Sequence, residues 1–478
     1  MSNLSDLLPA GAGGKQVSFT ASGAISSGQT VALNNDGTVT RITGTFGSST
    51  TFSGSAPSND VVSVYDSSNN KIVIAYRNDT AATGEAVVGT VSGASISFGT
   101  PVTFTSDNPA DVNIAYDSTN NKVVIAFADN TNNLGKAVVG TVSGTSISFG
   151  TVATFESAAS SYCSISYDVS TQKMVIGYRD NGNSSYGTAI VGTVSGTSIS
   201  FGTPTVFNSG GNTLWIRTVY DASHSKTVFA FRDIAAGNTS AYVGTVSGTS
   251  ISFGSKATLQ SGASEYIYGT YDSTNGKVVF TYSDGSNSDN GTAVVGTVSG
   301  TSVSFGSEVV FSARGTYRPG VTYDPNTGKI YVSYRGLVSG VGNQGFINTG
   351  TVSGTSISFT NETTYIETTV TFNYPVYDSN SQIVVNAFKD NTANVGKAFT
   401  YNPDGIVNTD FIGISDAAIS DTASGSVTIK GGISTNVTGL TPNSTYYVQA
   451  DGSLSTTASD VLAGKALSST SINLDYTS

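Results

Sequence analysis

One position in a repeated pattern carries the side chains best suited to recognising a ligand. The chain contains seven Tyr-Asp pairs, and the residue five positions before each pair changes type from copy to copy. These residues are Asp60, Asp111, Tyr162, Trp215, Tyr266, Arg318 and Phe372. Aromatic rings beside carboxylates suit sugars, because apolar C–H faces stack on the rings while hydroxyls form hydrogen bonds. The alternative is that these rings are core filler between neighbouring blades of the repeat.

The Tyr-Asp pairs begin at regular intervals of 51 to 54 residues, at Tyr65, Tyr116, Tyr167, Tyr220, Tyr271, Tyr323 and Tyr377. In the copy around Tyr116, strands are predicted at Asp111–Tyr116, Lys122–Ala128, Lys136–Val142 and Thr145–Thr154. Four short strands in about fifty residues are typical of a β-propeller blade. The sequence therefore predicts an all-β fold, a seven-bladed β-propeller with four-stranded blades, over residues 39–402.

The seventh copy lacks its fourth strand. A spare copy of the missing pattern lies before the first Tyr-Asp pair, at Gly44–Phe52. We predict that this N-terminal strand completes the last blade and closes the ring, which removes exposed strand edges. The flanks, residues 1–38 and 403–478, are also β-rich, and we expect them to pack together as a small β module.

Composition excludes several classes of function. The net charge of −11 argues against nucleic acid as a partner and against binding an anionic membrane. The only histidine, His224, lies in a predicted turn, and the only cysteine, Cys163, is expected to be a small buried residue. We therefore predict no catalytic residues, no metal and no cofactor, although the oxygen-rich run Asp284–Asp289 leaves a calcium site as an alternative.

Charged residues recur at the end of each second strand, as at Asp129, Arg179, Arg232, Arg335 and Asp390. They form either a ring of charge for a ligand or caps for the loops that follow, and we favour caps. The loops on this face vary between copies, whereas the turns on the opposite face are monotonous. Because recognition usually resides in variable loops on a rigid scaffold, the variable face is the expected binding face.

The flanks resemble structural proteins of tailed phages that infect marine bacteria or cyanobacteria. The resemblance lies in residues 2–11, Ser-Asn-Leu-Ser-Asp-Leu-Leu-Pro-Ala-Gly, and in residues 440–457 and 463–470, and it does not extend to the propeller. It implies a component of the virion, such as a tail fibre, assembled in the host cytoplasm. The implied partners are other virion proteins, contacted through the flanks, and further copies of the chain in a homo-oligomer, with no insertion into a membrane.

Three functions follow as hypotheses. The first is a non-enzymatic virion appendage whose propeller recognises a host-surface carbohydrate or another receptor. The second is a purely structural virion or surface-decoration protein, with the propeller as a spacer. The third is a propeller glycosidase acting on host polysaccharide, for which two suitably spaced carboxylates would be required.

Overall fold

The computed structural model of the chain describes residues 15–34, 36–42, 46–54, 57–402, 410–449, 452–456, 458–459 and 461–474, with only the backbone at 57–59 and 360–361. These residues form strands and turns and contain no α-helix. Consequently, no helix in the described ranges is long and apolar enough to cross a membrane. The segment 2–11, which carries part of the resemblance, lies outside the described residues, as do Gly44 and Thr45.

The strands of the N-terminal flank are β1 Gln16–Thr20, β2 Thr30–Leu33 and β3 Val39–Arg41, and the next strand, β4 Thr50–Ser53, belongs to the sheet of blade 7. Blade 1 contains β5 Pro57–Asp66, β6 Lys71–Asn78, β7 Thr83–Ser92, β8 Ser95–Phe98 and β9 Val102–Thr105. Blade 2 contains β10 Pro109–Asp117, β11 Lys122–Asp129, β12 Leu134–Ser143, β13 Ser146–Phe149 and β14 Ala153–Glu156. Blade 3 contains β15 Ser160–Asp168, β16 Lys173–Asp180, β17 Tyr186–Ser195, β18 Ser198–Phe201 and β19 Thr205–Asn208.

Blade 4 contains β20 Thr213–Asp221, β21 Lys226–Asp233, β22 Asn238–Ser247, β23 Ser250–Phe253 and β24 Ala257–Gln260. Blade 5 contains β25 Ser264–Asp272, β26 Lys277–Asp284, β27 Asn290–Ser299 and β28 Ser302–Phe305. Blades 6 and 7 contain β29 Val309–Asp324, β30 Lys329–Val338, β31 Gly342–Ser353, β32 Ser356–Ile366, β33 Val370–Asp378, β34 Ile383–Asp390 and β35 Val395–Tyr401. The C-terminal flank contains β36 Phe411–Ser415, β37 Ser424–Ile429, β38 Ile433–Ser434, β39 Thr445–Val448, β40 Leu454–Ser455, β41 Leu462–Ala466 and β42 Ile472–Leu474.

The seven inner strands stand side by side, each in contact with the next, and the last of them contacts the first, so the ring is closed. Each blade is an antiparallel meander of four strand positions. The predicted all-β, seven-bladed propeller with a small flanking β module is thereby confirmed.

The outer strand of most blades differs from the prediction, because it is broken into two short pieces. In blade 2, Phe149 at the end of β13 pairs with Gly140, whereas Ala153 at the start of β14 pairs with Ala137. The break falls at Gly150, where a Cβ atom would lie 1.8 Å from the carbonyl oxygen of Thr197 in blade 3. The outer strand is interrupted where the hairpin of the next blade presses against its backbone.

The seventh blade is closed by the N-terminal strand, as predicted. β4 pairs antiparallel with β35, with Thr50 opposite Ala398 and Ser53 opposite Gly396. Phe52 in β4 is buried and packs against Tyr76 of blade 1, with ring centroids 5.4 Å apart. The closing strand therefore also fills the interface between the last blade and the first.

The Tyr-Asp pairs join neighbouring blades. Asp117 Oδ1 accepts hydrogen bonds from the backbone N–H groups of Thr119 and Asn120, both at 3.0 Å, which fixes the turn. The hydroxyl of Tyr167 in the following blade then donates to Thr119 Oγ1 at 2.6 Å. Hydroxyl–hydroxyl contacts likewise join Tyr271 to Ser223 and Tyr323 to Thr274, and Tyr65 of blade 1 bonds to Ser379 in the turn of blade 7.

The flanking module is built from both ends of the chain. One sheet has the order β1, β37, β36, β2, β3, and a second has the order β38, β42, β41, β39, β40. Val39 of β3 pairs antiparallel with Leu33 of β2, so β3 belongs to this module. The compact propeller unit spans residues 49–92 and 96–399, and it therefore begins later than the expected residue 39.

Candidate functional site

The candidate residues sit at a repeated irregularity near the start of each inner strand. Every inner strand shifts register against its second strand at this point, as between Ala110 and Asn113 in blade 2. From Asp111 onward, the six residues of the set have φ between 50° and 59°, in the left-handed region. Such β-bulges re-aim a side chain, and non-glycine residues adopt this conformation at a cost.

The bulges bring all seven residues to one cavity. Asp60, Asp111, Tyr162, Trp215, Tyr266, Arg318 and Phe372 all line it, and its volume is about 70 Å³. That volume corresponds to roughly half a dozen water positions. The sequence thus located the lining of the cavity, whereas the binding role of these residues stays a prediction.

Four aromatic side chains form a continuous arc in and beside the wall. The ring centroids of Tyr162 and Trp215 are 5.1 Å apart, and those of Trp215 and Tyr266 are 4.4 Å apart. Tyr317, one residue before Arg318, extends the arc, with its ring 4.2 Å from that of Tyr266. The tilted geometry is the arrangement that aromatic pairs prefer.

Three arginines, from blades 3 and 6, cover parts of these rings. The guanidinium of Arg318 lies 4.1 Å from the ring centroid of Phe372, and that of Arg335 lies 3.8 Å from the ring of Tyr317. Arg179 lies 4.9 Å from the ring of Tyr162. Phe372 is itself buried, so its ring serves as packing, in agreement with the core-filler alternative for that one position.

The cavity also contains two carboxyl groups, those of Asp60 in blade 1 and Asp111 in blade 2, which contribute no ring to the aromatic arc. Asp111 Oδ2 accepts a hydrogen bond of 2.6 Å from the backbone N–H of Tyr162 in blade 3. Burial raises the pKa of Asp60, the neighbouring Asp111 raises it further, and Arg318 opposes both, with a resulting pKa of about 7. Burial also raises the pKa of Asp111.

The inner end of the cavity is filled by the position three residues before each Tyr-Asp pair. Arg217 donates from Nε to the backbone oxygen of Ile267 at 3.2 Å and from Nη1 to the hydroxyl of Tyr374 at 3.5 Å. The guanidinium also lies 4.6 Å from the ring centroid of Tyr268. Arg217, Tyr268 and Tyr374 form the cavity floor.

The floor and Tyr317 were missed by the sequence analysis. The floor residues occupy one shared position in the repeat, and counting three residues back from each Tyr-Asp pair finds Arg217, Tyr268 and Tyr374 among smaller residues. Side chains two residues apart on a strand share a face, so this second ring follows from the same periodicity.

The other candidate residues have structural roles. His224 lies in its predicted turn, with Nδ1 2.9 Å from Asp221 Oδ2, and Cys163 is buried. The strand-end aspartates cap loops, as where Asp129 Oδ1 accepts from the backbone N–H of Thr131 at 2.8 Å. Asp284 likewise accepts from the backbone N–H and the hydroxyl of Ser286. Among the described residues, no group of three or more His, Cys, Asp or Glu side chains could hold a metal ion.

No protein-family model and no curated protein matches the chain. Among solved structures, a mutant of AofleA from Arthrobotrys oligospora matches 70% of this chain and 94% of its own, at 9% identity and a TM-score of 0.45. The β-propeller domain of the Trilobed protease from Pyrococcus furiosus matches 72% of this chain and 97% of its own, at 10% identity and a TM-score of 0.40. A Trypanosoma rangeli sialidase mutant displaying trans-sialidase activity matches 69% of this chain and 58% of its own, at 12% identity and a TM-score of 0.40. At these identities the likeness is one of fold alone.

Proposed function

We propose that the propeller is a non-enzymatic carbohydrate-binding domain of a virion appendage, such as a tail fibre, and that it recognises a glycan on the host surface. The observation that carries the binding proposal is the arc of Tyr162, Trp215 and Tyr266 in one cavity with the carboxylates of Asp60 and Asp111. Aromatic faces take the apolar side of a sugar ring, and the charged groups take its hydroxyls. The placement in a virion rests on the resemblance of the flanks.

The binding proposal is tested by replacing the arc. We expect Trp215→Ala and Tyr266→Ala each to weaken binding to an array of bacterial surface polysaccharides and defined oligosaccharides by tenfold or more, since each removes a stacking surface. Tyr186→Ala is the matched control, because Tyr186 is a partly buried tyrosine of blade 3 that does not line the cavity. If both arc variants bind glycans as tightly as wild type does, the cavity is not the glycan-binding site.

The virion placement needs a separate experiment. Antibodies against the folded propeller should label one type of appendage in electron micrographs of the phage particle. Labelled particles together with an absence of glycan binding would favour the purely structural alternative. An absence of label on any particle would overturn the virion assignment and leave the binding proposal to its own test.

One observation favours the glycosidase alternative strongly enough to test it. A carboxyl whose pKa is raised beside a second carboxyl is the arrangement of a general acid with its partner, and Asp60 with Asp111 fits that description. A hydrolase would release new reducing ends from any polysaccharide that the protein binds. Asp60→Asn would then abolish release, whereas a binding domain releases none before or after the substitution.

A further inference from the structure

We infer that the cavity is a blind cup that takes the terminal unit of a neutral glycan end-on, with one hydroxyl held between Asp60 Oδ2 and Arg318 Nε. This inference rests on the proposed carbohydrate binding and names the part of the glycan that is recognised. It follows from three features of the cavity: its closed floor, its unpartnered polar atoms and its balance of charge.

The floor closes the cavity on the inner side. Arg217, Tyr268 and Tyr374 come from three different blades and contact one another, with the rings of Tyr268 and Tyr374 5.9 Å apart. Within this layer Tyr268 is buried, whereas Arg217 and Tyr374 are partly buried, as Trp215 and Tyr266 are at the mouth of the cavity. A chain of sugars therefore cannot thread past this layer, and a ligand enters by one end.

Two buried polar atoms in the wall have no partner. Within the described residues, neither Asp60 Oδ2 nor Arg318 Nε forms a hydrogen bond. One is an acceptor and the other is a donor, and both belong to residues that line the cavity. Polar atoms buried in this way are normally satisfied, so each points to a group that is bound there, either a ligand group or a water that a ligand displaces.

A hydroxyl has the chemistry that both atoms require, because it donates to a carboxylate and accepts from a guanidinium. A ligand carboxylate or sulfate would face Asp60, and an ammonium group would face Arg318 and the floor arginine, Arg217. Above pH 7, where Asp60 is ionised, the two carboxylates of the lining balance its two guanidinium groups. The chemistry therefore selects a neutral polyhydroxylated group over an acidic or an amino sugar.

The size of the cavity limits how much of a glycan it holds. A volume of about 70 Å³ suits the buried part of a single ring, since each water occupies roughly 10 to 15 Å³ on the same measure. The aromatic arc then contacts the apolar face of that ring. Units further along the glycan lie outside the cup, where the variable loops provide the next surface.

Wild-type protein alone tests end-on recognition. Trp215 is the single tryptophan of the chain and lines the cup, so its fluorescence reports a ligand that enters. The first set of probes comprises neutral, uronic-acid-containing and amino-sugar oligosaccharides, each attached to an array by its reducing end so that its terminal unit is free. The neutral oligosaccharide that binds best is then tested in solution. We expect the free glycan to change the fluorescence, and the same glycan capped with one further sugar at its terminal unit to bind at least tenfold more weakly.

Two conservative variants test the hydroxyl. Asp60→Asn and Arg318→Lys should each weaken binding of the neutral glycan about 10- to 100-fold, the usual worth of a hydrogen bond to a charged group. A deoxy analogue that lacks the bridging hydroxyl should bind the wild-type protein as weakly as the complete glycan binds the variants. Asp60→Asn should then cause little additional loss of affinity for the analogue. Thermal melting of each variant checks that the fold is retained.

The outcomes separate this inference from the function on which it rests. If no arrayed glycan binds wild type, the proposed function fails. If glycans bind and Trp215→Ala abolishes binding, but capping has no effect, the cup is not end-on. If charged glycans are preferred, or Asp60→Asn and Arg318→Lys both bind as wild type does, the bridging hydroxyl is wrong, while carbohydrate binding stands.

Discussion

Asp60 ties the cavity to the stability of the propeller. Burial and the nearby Asp111 raise the pKa of its carboxyl to about 7 in the folded protein, from an unfolded value near 3.8. The folded state therefore holds this proton more tightly than the unfolded state does. Between those two pH values the unfolded chain loses the proton first, so this group makes the propeller less stable as the pH rises.

Asp60→Asn should remove that pH dependence. At pH 4 the variant and wild type carry the same charge at this site and should melt at similar temperatures. Toward pH 8 the free energy of unfolding of the variant should rise relative to that of wild type, by at most about 1.4 kcal/mol for each unit of the pKa shift of Asp60. The measurement is the difference in melting temperature at pH 4, 6 and 8. Asp79→Asn is the control, because Asp79 is partly exposed and paired with Arg77 at 3.2 Å. A constant difference across this range would contradict the raised pKa.

At this scale the sequence predicted which residues share the cavity, but not how they reach it. The period of the repeat located Trp215 and Tyr266 because equivalent positions in a closed ring face one axis. The left-handed φ of these residues could not be predicted, since Tyr and Trp carry no preference for that region. It depends on a register shift, which only the pairing of two strands defines.

At the scale of single elements, the third and outer strands of a blade are adapted to each other. In the third strand of blade 2, a Cβ at Gly135 would lie 2.4 Å from the ring of Phe155 on the outer strand. In blade 4 the corresponding residues are Thr239 and Leu259, both buried. A larger residue on the third strand accompanies a smaller one on the outer strand, which keeps the packing dense without a clash.

Gly150→Ala tests the contact that breaks the outer strand. Its added methyl would meet the Thr197 carbonyl at 1.8 Å, so the hairpin of the next blade must shift. We expect a loss of about 1 to 3 kcal/mol in the free energy of unfolding, as for other overpacked sites. Gly54→Ala is the matched control, since no atom lies within 4 Å of its Cβ position and its φ is ordinary. Equal stability of the two variants, in urea denaturation, would show that the blades tolerate the methyl.

The broken outer strand could not be predicted from the blade's own sequence. The run from Thr145 to Thr154 reads as one strand, and the interruption at Gly150 arises from a carbonyl in the next blade. Contacts between repeats are invisible to a pattern within one repeat. The strand-end aspartates were predicted as caps, and their hydrogen bonds to the following loop agree, because that contact is local in sequence.

For the whole molecule, the ring is closed within blade 7, where β4 pairs with β35 although no turn joins the two strands, and this pairing is the seam of the ring. Phe52 and Phe155 are equivalent residues, both buried, in blades 7 and 2. Each packs on a tyrosine of the next blade, at 5.4 Å and 5.1 Å between ring centroids. The two sites therefore differ chiefly in whether the strand that carries the ring is continuous with its blade.

Phe52→Ala and Phe155→Ala form a matched pair of variants. Each should lose about 3 to 5 kcal/mol by removing a buried ring. Only Phe52→Ala should also release β4, which we expect to detect as proteolytic cleavage near residues 46–54 before global unfolding. Early cleavage in both variants, or in neither, would mean that the seam is no weaker than the other interfaces.

The architecture was predicted from the sequence because each blade repeats the same short pattern and the missing strand has a visible spare copy. The start of the propeller was less predictable. Residues 39–41 form an ordinary hairpin strand, and only their pairing with Leu33 and its neighbours assigns them to the flanking sheet.

The closing strand has a consequence for the order of events during synthesis. β4 is made before any blade, but its partner β35 is almost the last part of the propeller to leave the ribosome. Until β35 is made, β4 has no strand to pair with, and the side of blade 1 that packs against blade 7 stays exposed. Such distant pairing is slow to form and leaves apolar surface open to other chains. We therefore expect refolding yield to fall as protein concentration rises.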